Sequence, residues 1–212
     1  MTPRLTLIAL ALIATTAACS RNGQIGDGGV YVTRSVCPQV GIPAATGDIT
    51  LFNPTNRTDA GAMDVTATIT NVRSTCDDSG ATIVSTATFD VEATRRDASA
   101  ERTVVLPYFD VAMQGGSTVV AKRIGQIALT FPAGATRAQS SGQGTIRVER
   151  SVVTLPDDIR RQLTKERRPG DVDAAIDPLS KPEIRDAVAK ATFEHLIGFQ
   201  LTQDQLRYNA TR

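Results

Sequence analysis

The sequence predicts a mainly β protein. It reads as an antiparallel immunoglobulin-like β-sandwich over residues 35–153, followed by a short helical C-terminal region over 154–212 that packs on the sandwich. Three observations carry this prediction. Apolar and polar residues alternate with a period of two through several segments between residues 63 and 152. Short clusters of Gly, Pro, Asp and Ser separate those segments. After Thr154 the alternation gives way to helix-capping patterns. The composition agrees: the chain has no Trp and is rich in Thr, Ala and Val, a mixture suited to partly exposed sheets around a modest core.

Taken in order, Met63, Val65, Ala67 and Ile69 mark one strand. Ile83, Ala87, Phe89, Val91 and Ala93 mark the next, with Ser85 breaking the apolar series. A polar turn from Arg95 to Glu101 leads to Val105, Phe109, Val111 and Met113, so these two strands are predicted to form a long hairpin. Gly115-Gly116 makes a second tight turn into a strand region from Val119 to Phe131, which Pro132 and Gly134 end. Ile146, Val148 and Val152 mark another strand, and shorter ones are expected near Val30–Val36 and Ile49–Phe52. Antiparallel strands at this spacing favour a sandwich, with a barrel as second choice.

In the C-terminal region, Thr154-Leu155-Pro156-Asp157 reads as a helix start capped by Thr154. Ser180-Lys181-Pro182-Glu183 is a capping-box pattern. It predicts a helix with Ile184, Ala187, Val188, Ala191 and His195 on one face and a stop at Gly198. Thr202-Gln203-Asp204-Gln205 repeats the box for a last short helix.

The N-terminus has a different character. Arg4 precedes an apolar run from Leu5 to Ala14, and Thr15-Thr16-Ala17-Ala18 then leads to Cys19. This order reads as a secretory signal peptide over residues 1–18. The apolar run is about half of the roughly 20 residues that a membrane span needs. Residues 1–19 resemble the export signal of bacterial lipoproteins. Ala17, Ala18 and Cys19 match the last three positions of that motif, and Thr16 stands where Leu, Val or Ala is more usual. The resemblance implies cleavage before Cys19, lipid attachment at Cys19, and, from Ser20, sorting to the outer membrane with the chain facing the periplasm. The alternative is ordinary cleavage and a soluble periplasmic protein. Residues 19–34, with Gly23, Gly26, Gly28 and Gly29, read as a flexible tether.

If Cys19 carries lipid, the remaining cysteines are Cys37 and Cys76. An oxidising compartment favours a bond between them over two reduced thiols. The closed loop of about 40 residues is worth about 4 kcal/mol in the chain-entropy view.

Of the 23 Lys and Arg, only Arg4 precedes Cys19, so the rest balance the 22 acidic residues. Bulk charge gives no push toward nucleic acid. Arg160, Arg161, Lys165, Arg167 and Arg168 form the one local basic cluster, a candidate contact for anionic lipid or an acidic protein. Asp157, Asp158 and Glu166 beside it favour a solvated helix face instead.

His195, the only histidine, reads as a hydrogen-bonded packing residue, because no nucleophile motif accompanies it. Asp171, Asp173 and Asp177 have the spacing of three calcium-loop positions, but Ala175, Ile176 and Pro182 occupy the other required places. Neither a metal nor a cofactor is expected. Ile197, Phe199, Leu201, Leu206 and Tyr208 are expected to cover a sheet. Asn53-Pro54-Thr55-Asn56 is similar to a short motif of plant desiccation-related sandwich proteins; turn chemistry also accounts for it.

The expected function is that of a non-enzymatic, periplasm-facing lipoprotein, a binding or assembly module for an envelope protein partner. The alternatives are a carrier or sensor of a small apolar or lipid ligand in a cavity lined by Phe89, Phe109 and Leu129, and an envelope hydrolase built on paired carboxylates.

Overall fold

The structure, a computed structural model, describes residues 23–26, 29–32, 35–165, 170–172 and 175–211. These fall into two units. The smaller contains the hairpin of β1 (Gly23–Gly26) and β2 (Gly29–Val32), together with the described part of 164–176. The larger holds residues 35–163 and 177–212 and is the β-rich body.

The body contains two four-stranded sheets. In one, β4 (Asp48–Phe52), β5 (Met63–Asp77), β6 (Thr82–Arg95) and β9 (Arg137–Glu149) lie side by side in that order, all antiparallel, as a curled half-barrel. In the other, the order is β3 (Gln39–Gly41), β10 (Phe193–Phe199), β7 (Arg102–Gln114) and β8 (Thr118–Phe131). Its β10–β3 pair is parallel and its other pairs are antiparallel. Four short helices complete the body: α1 (Arg150–Val153), α2 (Asp157–Thr164), α3 (Pro182–Lys190) and α4 (Gln203–Thr211).

The alternating strands bury one face each. Val65, Phe89, Val91, Leu106, Leu129, Phe131 and Phe199 belong to a large apolar cluster, and Ile83, Ala112, Ile146, Val148, Val153 and Phe193 to a smaller one. At one corner Arg95 is buried, with its guanidinium 5.1 Å above the Phe131 ring. It donates to the carbonyls of Ala135, Ala100 and Pro132 at 2.8, 2.7 and 2.9 Å. Three loop carbonyls thus share one cation, which satisfies backbone acceptors that the turns leave without ladder partners.

The hairpin pairing differs from the prediction. β6 pairs with β5 and β9, and β7 pairs with β10 and β8, so the segment from Arg95 to Glu101 crosses between sheets instead of closing a hairpin. Alternation shows which face a strand buries but not which neighbour it takes. The burial of β7 differs in part: Val104, Leu106, Asp110 and Ala112 point inward and Val105 is 51% exposed, whereas Val111 is buried and Phe109 and Met113 are half-buried.

A bulge explains a further change of phase. Thr70 and Arg73 of β5 oppose the consecutive even positions Asp90 and Thr88, so β5 carries an extra residue there. Asn71, at φ 50°, takes up the bend, and its amide donates to Asp90 at 2.8 Å. Before the bulge Val65, Ala67 and Ile69 face inward; after it Ser74 and Cys76 oppose the inward residues Ala87 and Ser85.

The C-terminal region is not wholly helical. α3 ends at Lys190, and residues 193–199 form β10, which lies between β3 and β7. His195 is therefore a strand residue, and Gly198 lies inside the strand rather than stopping a helix. Lys181, not Ser180, precedes α3, and the Ser180 hydroxyl donates back to the Asp177 carbonyl at 2.6 Å. Thr154 closes α1 by donating to Arg150 O at 2.7 Å and does not cap α2. The last box does form: Thr202 N donates to Gln205 Oε1 at 2.9 Å, and Gln205 N to Thr202 Oγ1 at 3.2 Å.

Candidate functional site

A polar layer separates the two apolar clusters. On β6, Ser85 lies between Ile83 and Ala87; on β10, His195 lies between Phe193 and Ile197; on β7, Asp110 precedes Ala112 by one inward step. Strand periodicity puts each of them on the interior face, one in each chain of apolar neighbours. Ser85 Oγ is 3.0 Å from His195 Nδ1, and His195 Nε2 is 2.9 Å from Asp110 Oδ1. Asp110 Oδ2 accepts from Thr145 N on β9 at 2.9 Å. The imidazole satisfies all its partners when Nε2–H donates to Asp110 and Nδ1 accepts the Ser85 hydroxyl. The chain of bonds runs from one sheet to the other and back.

These are the residue types of a hydrolytic triad, but a nucleophile must reach its substrate. Ser85 is 1% and His195 0% exposed. The open groove of about 460 Å³ on the half-barrel is lined instead by Asn71, Thr88, Asp90, Ser141, Gln143 and their neighbours. In that groove the Asp90 carboxylate accepts from Asn71 and Ser141, and these bonds hold it below the usual carboxylate range. The buried layer holds the two sheets in register.

Tyr108 extends the same inter-sheet contact. Its ring lies across Gly125 of β8, where an added Cβ would come within 2.6 Å of the phenol oxygen. Beyond Gly125 its hydroxyl donates to Gln143 O of β9 at 2.9 Å. Burial, and secondarily the nearby Asp110, push its phenol above the ordinary value. Tyr108 and Asp110 thus bind the outer edge of β9 with side chains where a further strand would otherwise pair.

The Cys37–Cys76 disulfide closes another corner, with Cα atoms 6.1 Å apart. β4 accompanies β5 only as far as Thr68, so among the described residues the far end of β5 has no strand on that side. Cys76 lies there, opposite Ser85 in the ladder. Its bond to Cys37, just before β3, ties the half-barrel to the mixed sheet.

The remaining surface feature is β8. Residues 118–124 are exposed at every position, on both faces of the strand. Val119, Val120 and Ile124 are 53%, 48% and 53% exposed. Lys122 lies over the half-buried Phe109 ring at 5.6 Å. Neither Lys122 nor Arg123 was singled out in the sequence. The signal that could have found them is the acid-free run from Gly115 to Phe131 with two adjacent cations inside an alternating strand.

Cys19, Arg167 and Arg168 lie outside the described residues, as does Asp173. Arg160, Arg161 and Lys165 are exposed, and Arg160 pairs with Asp157 at 2.7 Å. Asp177 caps a short turn by accepting from Leu179 N at 2.9 Å. Among the described residues, no three His, Cys, Asp or Glu side chains cluster as a metal site would need. Ile197 and Phe199 are core residues of β10, and Tyr208 of α4 meets the Phe52 ring edge-on at 5.1 Å. Phe89 and Leu129 are packed in the core, whereas Phe109 faces the opposite side of its sheet, so the three do not line one cavity. No family model, no curated protein and no solved structure matches this chain.

Proposed function

We propose that this chain is a lipid-anchored binding or assembly module of a bacterial envelope, held to the outer membrane at Cys19 and facing the periplasm. The observation that carries the reading is the run from Arg4 to Cys19, which resembles a lipoprotein export signal. The cysteine pairing supports it: once Cys19 is set aside, the other two cysteines are joined to each other, as an oxidising compartment favours. Two or three acyl chains on Cys19 would hold the protein stably, since each buried methylene contributes about 0.8 kcal/mol and a single chain binds only reversibly.

On this reading residues 19–34 give reach from the bilayer, and the body, an immunoglobulin-like scaffold in our reading, presents a sheet edge or its helices to a protein partner. The two facing four-stranded sheets support that scaffold assignment. The sealed Ser85 hydroxyl supports a non-enzymatic role.

The test is Cys19→Ser in the native bacterium. The wild-type chain should sediment with outer membranes and carry the mass of its acyl groups, and the variant should lose both. A wild-type chain that is uncut and soluble in the cytosol would overturn the proposal.

A further inference from the structure

We propose that the edge of β8, unpaired among the described residues, takes up an extended segment of another polypeptide, with two adjacent acidic residues between aliphatic ones, as an added strand. This deepens the binding-module reading above and rests on it. Four strands end the two sheets: β3, β8, β4 and β9. β3 and β4 are short, with 3 and 5 residues. The edge of β9 is engaged at Gln143 O and Thr145 N by Tyr108 and Asp110. β8, with 14 residues, is the long edge, and its half nearest the Gly115-Gly116 turn is exposed throughout. Proteins ordinarily blunt such an edge, because its outward N–H and C=O groups template pairing with another chain; here a register shift at Val120 and the cations Lys122 and Arg123 disfavour a like-charged strand and leave an acidic one admissible.

The side chains state the chemistry of the guest. Lys122 and Ile124 share the outer face with Phe109 and Val111 of β7, Val120 is the extra residue where the β7–β8 register shifts, and Arg123 lies on the other face opposite Asp110. β8 carries no acid, and the nearest carboxylate on the outer face, Glu194, sits on β10 with Met113 of β7 between. An added strand with carboxylates beside Lys122 and Arg123 and aliphatic residues beside Val120 and Ile124 meets both demands, since opposite charges directly across a ladder stabilise it.

A second copy of β8 fits poorly. A two-fold at Lys122 or Arg123 sets like cations directly opposite each other, and one at Ala121 or Ile124 leaves them on neighbouring rungs. A lipid surface fits poorly too, because it would bury the edge's backbone groups without partners.

The experiment uses the full-length protein in detergent micelles and a fluorescent peptide, acetyl-Thr-Val-Glu-Glu-Thr-Val-Thr-amide, whose adjacent Glu residues fall on opposite faces of the added strand. The expected result is saturable binding, with slowed amide exchange confined to residues 118–125. The same peptide with Lys for both Glu should bind at least tenfold more weakly. The double variant Lys122→Glu/Arg123→Glu should reverse that order of preference, and Val120→Thr/Ile124→Thr should weaken the acidic peptide without reversing it.

Equal binding of both peptides, protection elsewhere, concentration-dependent dimerisation through β8, or β8-dependent binding to phosphatidylglycerol vesicles with no peptide binding would each overturn the proposal. Anchoring is read separately. Loss of peptide binding by a membrane-held wild-type chain refutes only the β8 assignment, and peptide capture by a chain that never reaches the membrane refutes only the tether.

Discussion

Replacing Asp110 by Ala tests whether the buried polar layer holds the sheets together. The carboxyl accepts two hydrogen bonds, from His195 Nε2 and from Thr145 N, both at 2.9 Å. Asp110 is 6% exposed and His195 fully buried, so water cannot readily replace the lost acceptor. Each orphaned donor costs about 1–3 kcal/mol, which sets the loss at about 2–6 kcal/mol. That is a large fraction of the stability of an ordinary domain, about 5–15 kcal/mol. Asp110→Asn keeps one acceptor but turns an amide toward the other donor, so its loss should fall near the lower end of that range. Asp204→Ala, in the exposed Asp204–Arg207 pair, is the control and should cost about 0–1 kcal/mol. The assay is urea unfolding of the oxidised protein followed by far-ultraviolet circular dichroism, with the midpoint shifting at constant slope. If Asp110→Ala costs no more than the control, the layer does not carry inter-sheet stability and the argument fails.

Three further outcomes are expected. Tyr108→Phe should lose about 1 kcal/mol through its bond to Gln143 O. Because burial raises the Tyr108 phenol, its contribution is complete below the ordinary value of 10.0 and fades as pH rises through the higher folded value. Alkaline unfolding curves should therefore shift less in the Phe variant than in the wild type. Cys37→Ser/Cys76→Ser should destabilise by about 4 kcal/mol, given the separation of 39 residues; a reduced wild type should match it in denaturant melts. Gly144→Ala would set a Cβ 2.7 Å from Ile197 Cδ1 and 2.8 Å from Asp110 Cγ, a conflict expected to cost about 1–3 kcal/mol by thermal melting.

The β character of the chain was legible because one buried face per strand imposes a period of two, as at Val65, Ala67 and Ile69. Pairing was not legible, because Ile83–Ala93 presents the same pattern whichever neighbour it meets. The tail misled for a physical reason. Ile184 and Ala187 are helical, but His195, Ile197 and Phe199 alternate, and a short apolar run at the end of a helical pattern fits either period. Ser85 was visible as a break in its strand, yet its partners come from β7 and β10, far along the chain. The disulfide followed from counting cysteines, whereas the bulge at Asn71 that sets Cys76 opposite Ser85 left no mark in the composition. Lys122 and Arg123 looked like ordinary solvated cations, and only the strand order reveals that they line an unpaired edge.

The position of β10 bears on how the molecule acquires its shape. The final strand of the body wedges between β3, near the start of the body, and β7, in its middle. Synthesis must therefore reach about residue 199 before the mixed sheet can close, and His195 arrives with that last piece to complete the interior polar bonds. Nascent chains halted before Phe193 would keep β7 open on one side, with Asp110 lacking its imidazole. Assembly is thus deferred until the tail is delivered, and such long-range closure is intrinsically slow. Were the chain exported, as proposed above, before folding, that delay would favour an unfolded state during passage.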